Sequence, residues 1–207
     1  MNQPSGRGAV LEVANLAEYF RDALGSALAH QHVAVEDQTA HYVVNMLTLF
    51  ARAEHLYEST PDGLKLTPLV QMFTRAMEAP SAAERERALQ RLGDVSLFMA
   101  GFFAHGFARS LVDVDYHIAM GGTAYGTLAR SLERGRRRVL GQVFAELAGK
   151  FLPLVDALAE VSDVARVYGP QDVLRLYEIW LKSGSPRARA LLSQLGVEPT
   201  PTALRSH

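Results

Sequence analysis

The chain has no cysteine among its 207 residues. Disulfides, thiolate zinc sites, iron–sulfur clusters and a cysteine nucleophile are therefore excluded at once. It also lacks an excess charge of either sign: 21 lysines and arginines face 22 aspartates and glutamates, giving a formal net charge of −1. That balance removes the bulk electrostatic case for nucleic acid or an anionic membrane surface. No apolar run reaches the ~20 residues needed to cross a bilayer; the longest, residues 95–108, is interrupted by Ser96 and His105. The first ten residues hold Pro4, Gly6 and Gly8 with no apolar centre, unlike a secretory leader, so a soluble cytoplasmic protein is expected. Several catalytic signatures are also missing. There is no phosphate loop ending in Lys-Ser or Lys-Thr, no dinucleotide glycine pattern after a strand, no His-Glu-x-x-His and no Gly-x-Ser-x-Gly.

What the chain does have is helical periodicity. Leu16, Phe20, Leu24 and Leu28 recur every fourth residue and predict a helix over about 10–29. Glu36 and Asp37 suit the positive end of a second helix, predicted to reach about residue 57, with Val43, Met46, Leu47, Phe50 and Tyr57 on one face. Thr60-Pro61-Asp62-Gly63 has turn chemistry. Thr67-Pro68 supplies a cap and a first-turn proline for a short helix carrying Val70, Phe73 and Met77 at spacings of three and four. Ser81 and Glu84 form a capping box before a long helix, charged at first and almost wholly apolar over residues 95–108, which is expected to be the buried central helix.

Asp113 or Asp115 can cap the following tract, predicted to run to about residue 161 in two pieces, loosened at Gly135 and kinked or broken at Pro153. After Gly169-Pro170 two short helices follow, the second bounded by Ser185, Pro186 and Gly196. The expected fold is an all-α single-domain bundle of five to eight helices over residues 10–168, with a C-terminal helical hairpin over 169–196. Residues 1–9 and 197–207 are expected to be disordered.

Four groups of residues are candidate sites. Asp37, His41, Asn45, Thr48, Arg52 and His55 fall on one face of the predicted second helix, either as groups lining a cleft or as its solvent stripe, with the solvent stripe the plainer reading. His41, Glu54, His105, Asp113 and His117 supply imidazoles and carboxylates that could hold iron, manganese or zinc inside a bundle, although the paired Glu-x-x-His signature of di-iron bundles is absent. Gly121, Gly122 and Gly126 sit within a predicted helix, where each costs about 1 kcal/mol against alanine. A flat cofactor flanked by Tyr116 and Tyr125, as in helical heme-oxygenase-like folds, or close helix packing would offset that cost; packing is the simpler account. Arg130, Arg134, Arg136, Arg137 and Arg138 form a basic cluster, but consecutive arginines spread around a helix rather than lining one side of it.

The stretch Arg91-Leu92-Gly93-Asp94-Val95-Ser96-Leu97-Phe98-Met99-Ala100-Gly101-Phe102-Phe103, with Val112-Asp113-Val114-Asp115-Tyr116-His117-Ile118-Ala119-Met120-Gly121 and the Trp180-containing hairpin, resembles a bacterial all-helical family. The resemblance spans about half the chain. It implies the same fold class, transfers no functional residue or activity, and directs attention to residues 91–126. The function expected from the sequence is that of a protein–protein interaction or structural module, binding itself or another chain. The alternative is a metal- or cofactor-dependent bundle enzyme using His105, Asp113 and His117.

Overall fold

Two helices begin on a serine cap that the sequence supplies, Ser81 and Ser185, whereas others start with no side-chain cap. The computed structural model describes residues 6–60, 63–103, 114–133, 137–162, 170–194 and 196–197. Among these lie ten helices and one pair of three-residue strands, so the protein is an all-α helical bundle. α1 (Gly6–His30) starts about four residues earlier than its apolar periodicity predicts. It places Phe20, Leu24, Ala27 and Leu28 in the core. His32, with φ of 56°, turns the chain into α2 (Asp37–Phe50).

α2 stops at Phe50, not near residue 57, and a separate turn of helix, α3 (Ala53–Leu56), follows. The break is tertiary in origin. The Arg91 guanidinium lies 5.0 Å from the Phe50 ring centre and donates to the Leu56 carbonyl at 2.7 Å, holding the redirected chain. β1 (Glu58–Thr60) and β2 (Gly63–Lys65) then pair antiparallel, Glu58 opposite Lys65. α4 (Leu69–Met77) has Pro68 at its N-cap and no side-chain cap. Thr67, the expected cap, bonds the Glu58 carboxylate instead, and Arg75 anchors the same carboxylate at 2.6 Å.

α5 (Ala82–Phe102) does start at Ser81, with half of the expected box: Ser81 Oγ accepts the Glu84 N–H, while the Glu84 carboxylate takes the Ser81 hydroxyl and not its backbone amide. α5 packs against α4, α6 (Val114–Leu132) and α8 (Phe151–Ser162). Its Leu92, Val95, Leu97 and Ala100 are fully buried. The tract after α5 divides into three helices, not two, because α7 (Arg138–Gly149) ends before Lys150. The break before α8 is the one expected at Pro153: the proline has no N–H for the Gly149 carbonyl one turn back, so α7 ends there, and Pro153 is accommodated in the first turn of the new helix.

α9 (Pro170–Ser183) and α10 (Pro186–Gln194) pack on each other around Leu176, Ala188 and Leu192, and rest on α6 and α8. Ser185 caps α10 by accepting the Ala188 N–H at 3.0 Å. Gly196, in the left-handed region, closes it as the Val197 N–H reaches back to Leu192. Among the described residues, no helix is long and apolar enough to cross a membrane.

Candidate functional site

α4 carries two apolar rows, one residue out of register. Leu69, Met72 and Ala76 are buried against the core, while Val70, Phe73 and Met77 keep 58%, 37% and 42% of their surface exposed. Each row has spacings of three and four. The row conspicuous in the sequence is therefore the outer one, and the core takes its neighbour. Around the outer row stand polar groups: Arg75 paired with Glu58, and the Arg85 guanidinium 3.9 Å from Met77 Sδ.

The sequence-predicted site residues do not converge. His41 is exposed on α2, its Nε2 3.0 Å from Asn45 Nδ2, and with Asp37 and Asn45 it edges a shallow groove against α7 of about 580 Å³. Arg52 and His55 lie beyond the end of α2, so the six-residue stripe is not one helix face. Glu54 is exposed on α3, 3.8 Å from the His55 ring. His117 is buried on α6, where desolvation pulls its pKa down to about 4 and keeps the ring neutral. His105 and Asp113 fall outside the described residues. Among those described, no group of three or more His, Cys, Asp or Glu side chains is arranged to hold a metal ion.

The glycine-rich stretch of α6 is explained by packing at one position. A Cβ on Gly121 would collide with the Phe151 ring and Ser96, so Gly121 is what lets α5, α6 and α8 close together. Gly122 faces open space, Tyr116 is partly exposed, and Tyr125 is fully buried. With Gly121 covered by Phe151 and Tyr125 enclosed, these four do not line a common cofactor cavity. In the basic cluster, Arg130 bonds Thr127 and Arg137 pairs with Glu86 of α5 at 2.6 Å. Arg134 and Arg136 lie outside the described residues.

One constellation escaped the sequence reading. Asp94 on α5 accepts the Tyr42 hydroxyl at 2.6 Å and the Tyr125 hydroxyl at 2.7 Å, both on Oδ1, and Gln90 donates to the Tyr42 oxygen at 2.9 Å. Gly93 makes room for the Tyr125 ring, which a Cβ there would strike. Phe144 backs both phenols, stacked on Tyr125 and edge-on to Tyr42. Burial pushes the Asp94 carboxyl up to about 6, against the opposing pull of the two hydroxyls and the Arg91 charge. The two phenols are pushed above their ordinary values, by burial first and by the adjacent carboxylate second, so they remain donors. The signal available was Asp94 itself, the sole charge between Arg91 and Phe103. Its partners come from α2 and α6 and have no local signature. The network ties three helices together, and both phenols are spent on one carboxylate oxygen.

No protein-family model, curated protein or solved structure matches this chain.

Proposed function

We propose that this protein is a protein-binding helical module whose contact face is the outer row of α4, and that its partner presents an amphipathic helix. The observation that carries the reading is the exposure of Val70, Phe73 and Met77 on a helix whose other row is committed to the core. Leaving three large apolar side chains in water on consecutive turns forfeits burial free energy that polar residues would not forfeit. The row covers two turns on a helix packed against α5 and tied by Arg75 to Glu58, and its three- and four-residue ridges match the grooves of a second helix. Phenylalanine, methionine and arginine are side chains from which contact faces are enriched. The metal-dependent alternative has no comparable support, because the described members of its ligand set, His41, Glu54 and His117, are an exposed α2 residue, an exposed α3 residue and a buried α6 residue.

The test is a photo-crosslinking amino acid at position 73 in the native host, followed by affinity measurement with the captured protein made separately. The account predicts a discrete heterotypic adduct. It also predicts that Phe73→Glu weakens the reconstituted complex by at least about thirtyfold, the scale of a hot-spot anchor, while Tyr19→Glu on α1 leaves it unchanged. A homotypic adduct, no adduct, or equal affinity for Phe73→Glu and the unaltered chain overturns the reading.

A further inference from the structure

A cleft separate from α4 opens where the end of α1, the length of α8 and the start of α10 meet. It encloses about 530 Å³, within the range of small-molecule sites. Its apolar walls are Val33, Pro153, Pro186, Ala190 and Leu191. Two carboxylates one helical turn apart on α8, Asp156 and Glu160, face into it.

The two carboxylates differ in what they have left to offer. Asp156 is buried and committed to α10: Oδ1 accepts the Ser185 hydroxyl at 2.6 Å, Oδ2 lies 3.5 Å from the Arg187 amide nitrogen, and the Arg187 charge is close enough to offset its own. Glu160 stands at the mouth with its side chain 31% exposed. His30 Nδ1 reaches Oε1 at 2.9 Å and Gln31 donates to Oε2 at 2.7 Å, so each oxygen holds one hydrogen bond where a carboxylate oxygen can accept two. Among the described residues Glu160 has no lysine or arginine partner. His30 and Gln31 fix the carboxylate in one orientation, and a second acceptor position on each oxygen is left for whatever enters.

We propose that this cleft binds a small primary amine with an apolar body, the ammonium on Glu160 and the body between Pro153, Pro186 and Leu191. An ammonium brings three donors to a carboxylate with spare acceptor capacity, and the proline and leucine walls reward an apolar body with desolvation. An anion is disfavoured there, because the Asp156 and Glu160 carboxylates would both repel it. The inference uses no residue of α4 and stands or falls separately from the interaction reading.

The experiment is an amide chemical-shift titration of the full chain with 2-phenylethylamine, and in parallel with 2-phenylethanol, each carried to about 10 mM, a concentration suited to ligands this small. Saturable shifts at Val33, Ala190 and Leu191, with the amine binding at least about tenfold tighter than the alcohol, are expected from one charge-assisted contact. Glu160→Gln is expected to bring the amine down to the affinity of the alcohol. Ala190→Trp, from an exposed position on α10, fills the cleft and is expected to abolish both. Equal affinity of amine and alcohol for the unaltered chain overturns the inference, as do shifts confined to residues outside the cleft or no saturation. The comparison of the two probes on the unaltered chain decides the matter even where a variant fails to fold.

Discussion

Asp94→Ala is expected to be among the most damaging single substitutions in the chain, lowering the free energy of unfolding by about 3–5 kcal/mol. The substitution strips the acceptor from two phenols at once, and each buried donor left without a partner costs about 1–3 kcal/mol. Tyr125 is the harder loss, because its ring is fully buried between Phe144 and Phe151 and its hydroxyl cannot turn to water. Releasing the carboxylate from its own desolvation returns part of that cost, which caps the figure. Asp94→Asn keeps an acceptor oxygen in the same place and is expected to lose about 1 kcal/mol. Urea unfolding of the two variants beside the unaltered chain checks both values. A loss below about 1 kcal/mol for the alanine variant would mean that the three helices are held by apolar packing alone.

The second large effect is a pH dependence that is hidden until one of two groups is removed. Asp94 has an ordinary value of 3.8, raised in the folded chain to about 6. The folded state therefore keeps this proton to higher pH than the unfolded state does, and the resulting stabilisation is lost as pH rises from about 4 to about 6. His117 runs the other way. Its ordinary value of 6.5 falls to about 4 on burial, so its contribution is complete above 6.5 and is lost as pH drops towards 4. At 1.36 kcal/mol per pKa unit each contribution is worth roughly 3 kcal/mol across nearly the same window, and the two oppose each other. The unaltered chain is thus expected to show little net slope from these groups between pH 4.5 and 6. Asp94→Asn removes the acid-favouring half, so its stability should fall by roughly 2–3 kcal/mol as pH is lowered from 6.5 to 4. His117→Gln should invert the slope, gaining stability on acidification. Unfolding free energies at three pH values decide the sign for each variant, and parallel profiles for all three proteins would refute the assignment.

Where local chemistry sets a helix boundary, the sequence made it readable. Ser81 before α5 and the Ser185, Pro186 and Gly196 frame of α10 are sequence signals that survive in the structure because each satisfies backbone groups within a few residues. The leucine and phenylalanine row of α1 reads correctly for the same local reason. Boundaries set by tertiary contact were not legible. Nothing near residue 50 announces the end of α2, because the groups holding that turn come from Arg91, some forty positions away. Pro153 belongs with the readable boundaries, since its missing N–H ends α7 one turn earlier and its ring fits the first turn of α8.

The candidate site shows the same division. Periodicity identified α4 as apolar, yet rows at 69, 72 and 76 and at 70, 73 and 77 are equivalent as patterns. Which one meets the core depends on how α4 is seated, with Arg75 on Glu58 and Thr67 diverted to the same carboxylate. Gly121 was legible as a residue needing a reason, but the reason, Phe151 from α8, was not. Asp94 was visible as an isolated charge, and its two phenols could be found only once α2, α5 and α6 were brought together.

The central claim is that the outer row of α4 is covered by another protein when this one works. Hydroxyl-radical footprinting of the chain inside its host cells and after purification tests that directly, because Met77 on the outer row and Leu174 on α9 are both exposed in the isolated protein. The account predicts that Met77 oxidation, normalised to Leu174, is several-fold slower in the cell, about the change expected when a half-exposed methionine becomes a buried contact, with Phe73 protected alongside it. Equal normalised rates at Met77 and Phe73 in the two settings would contradict it.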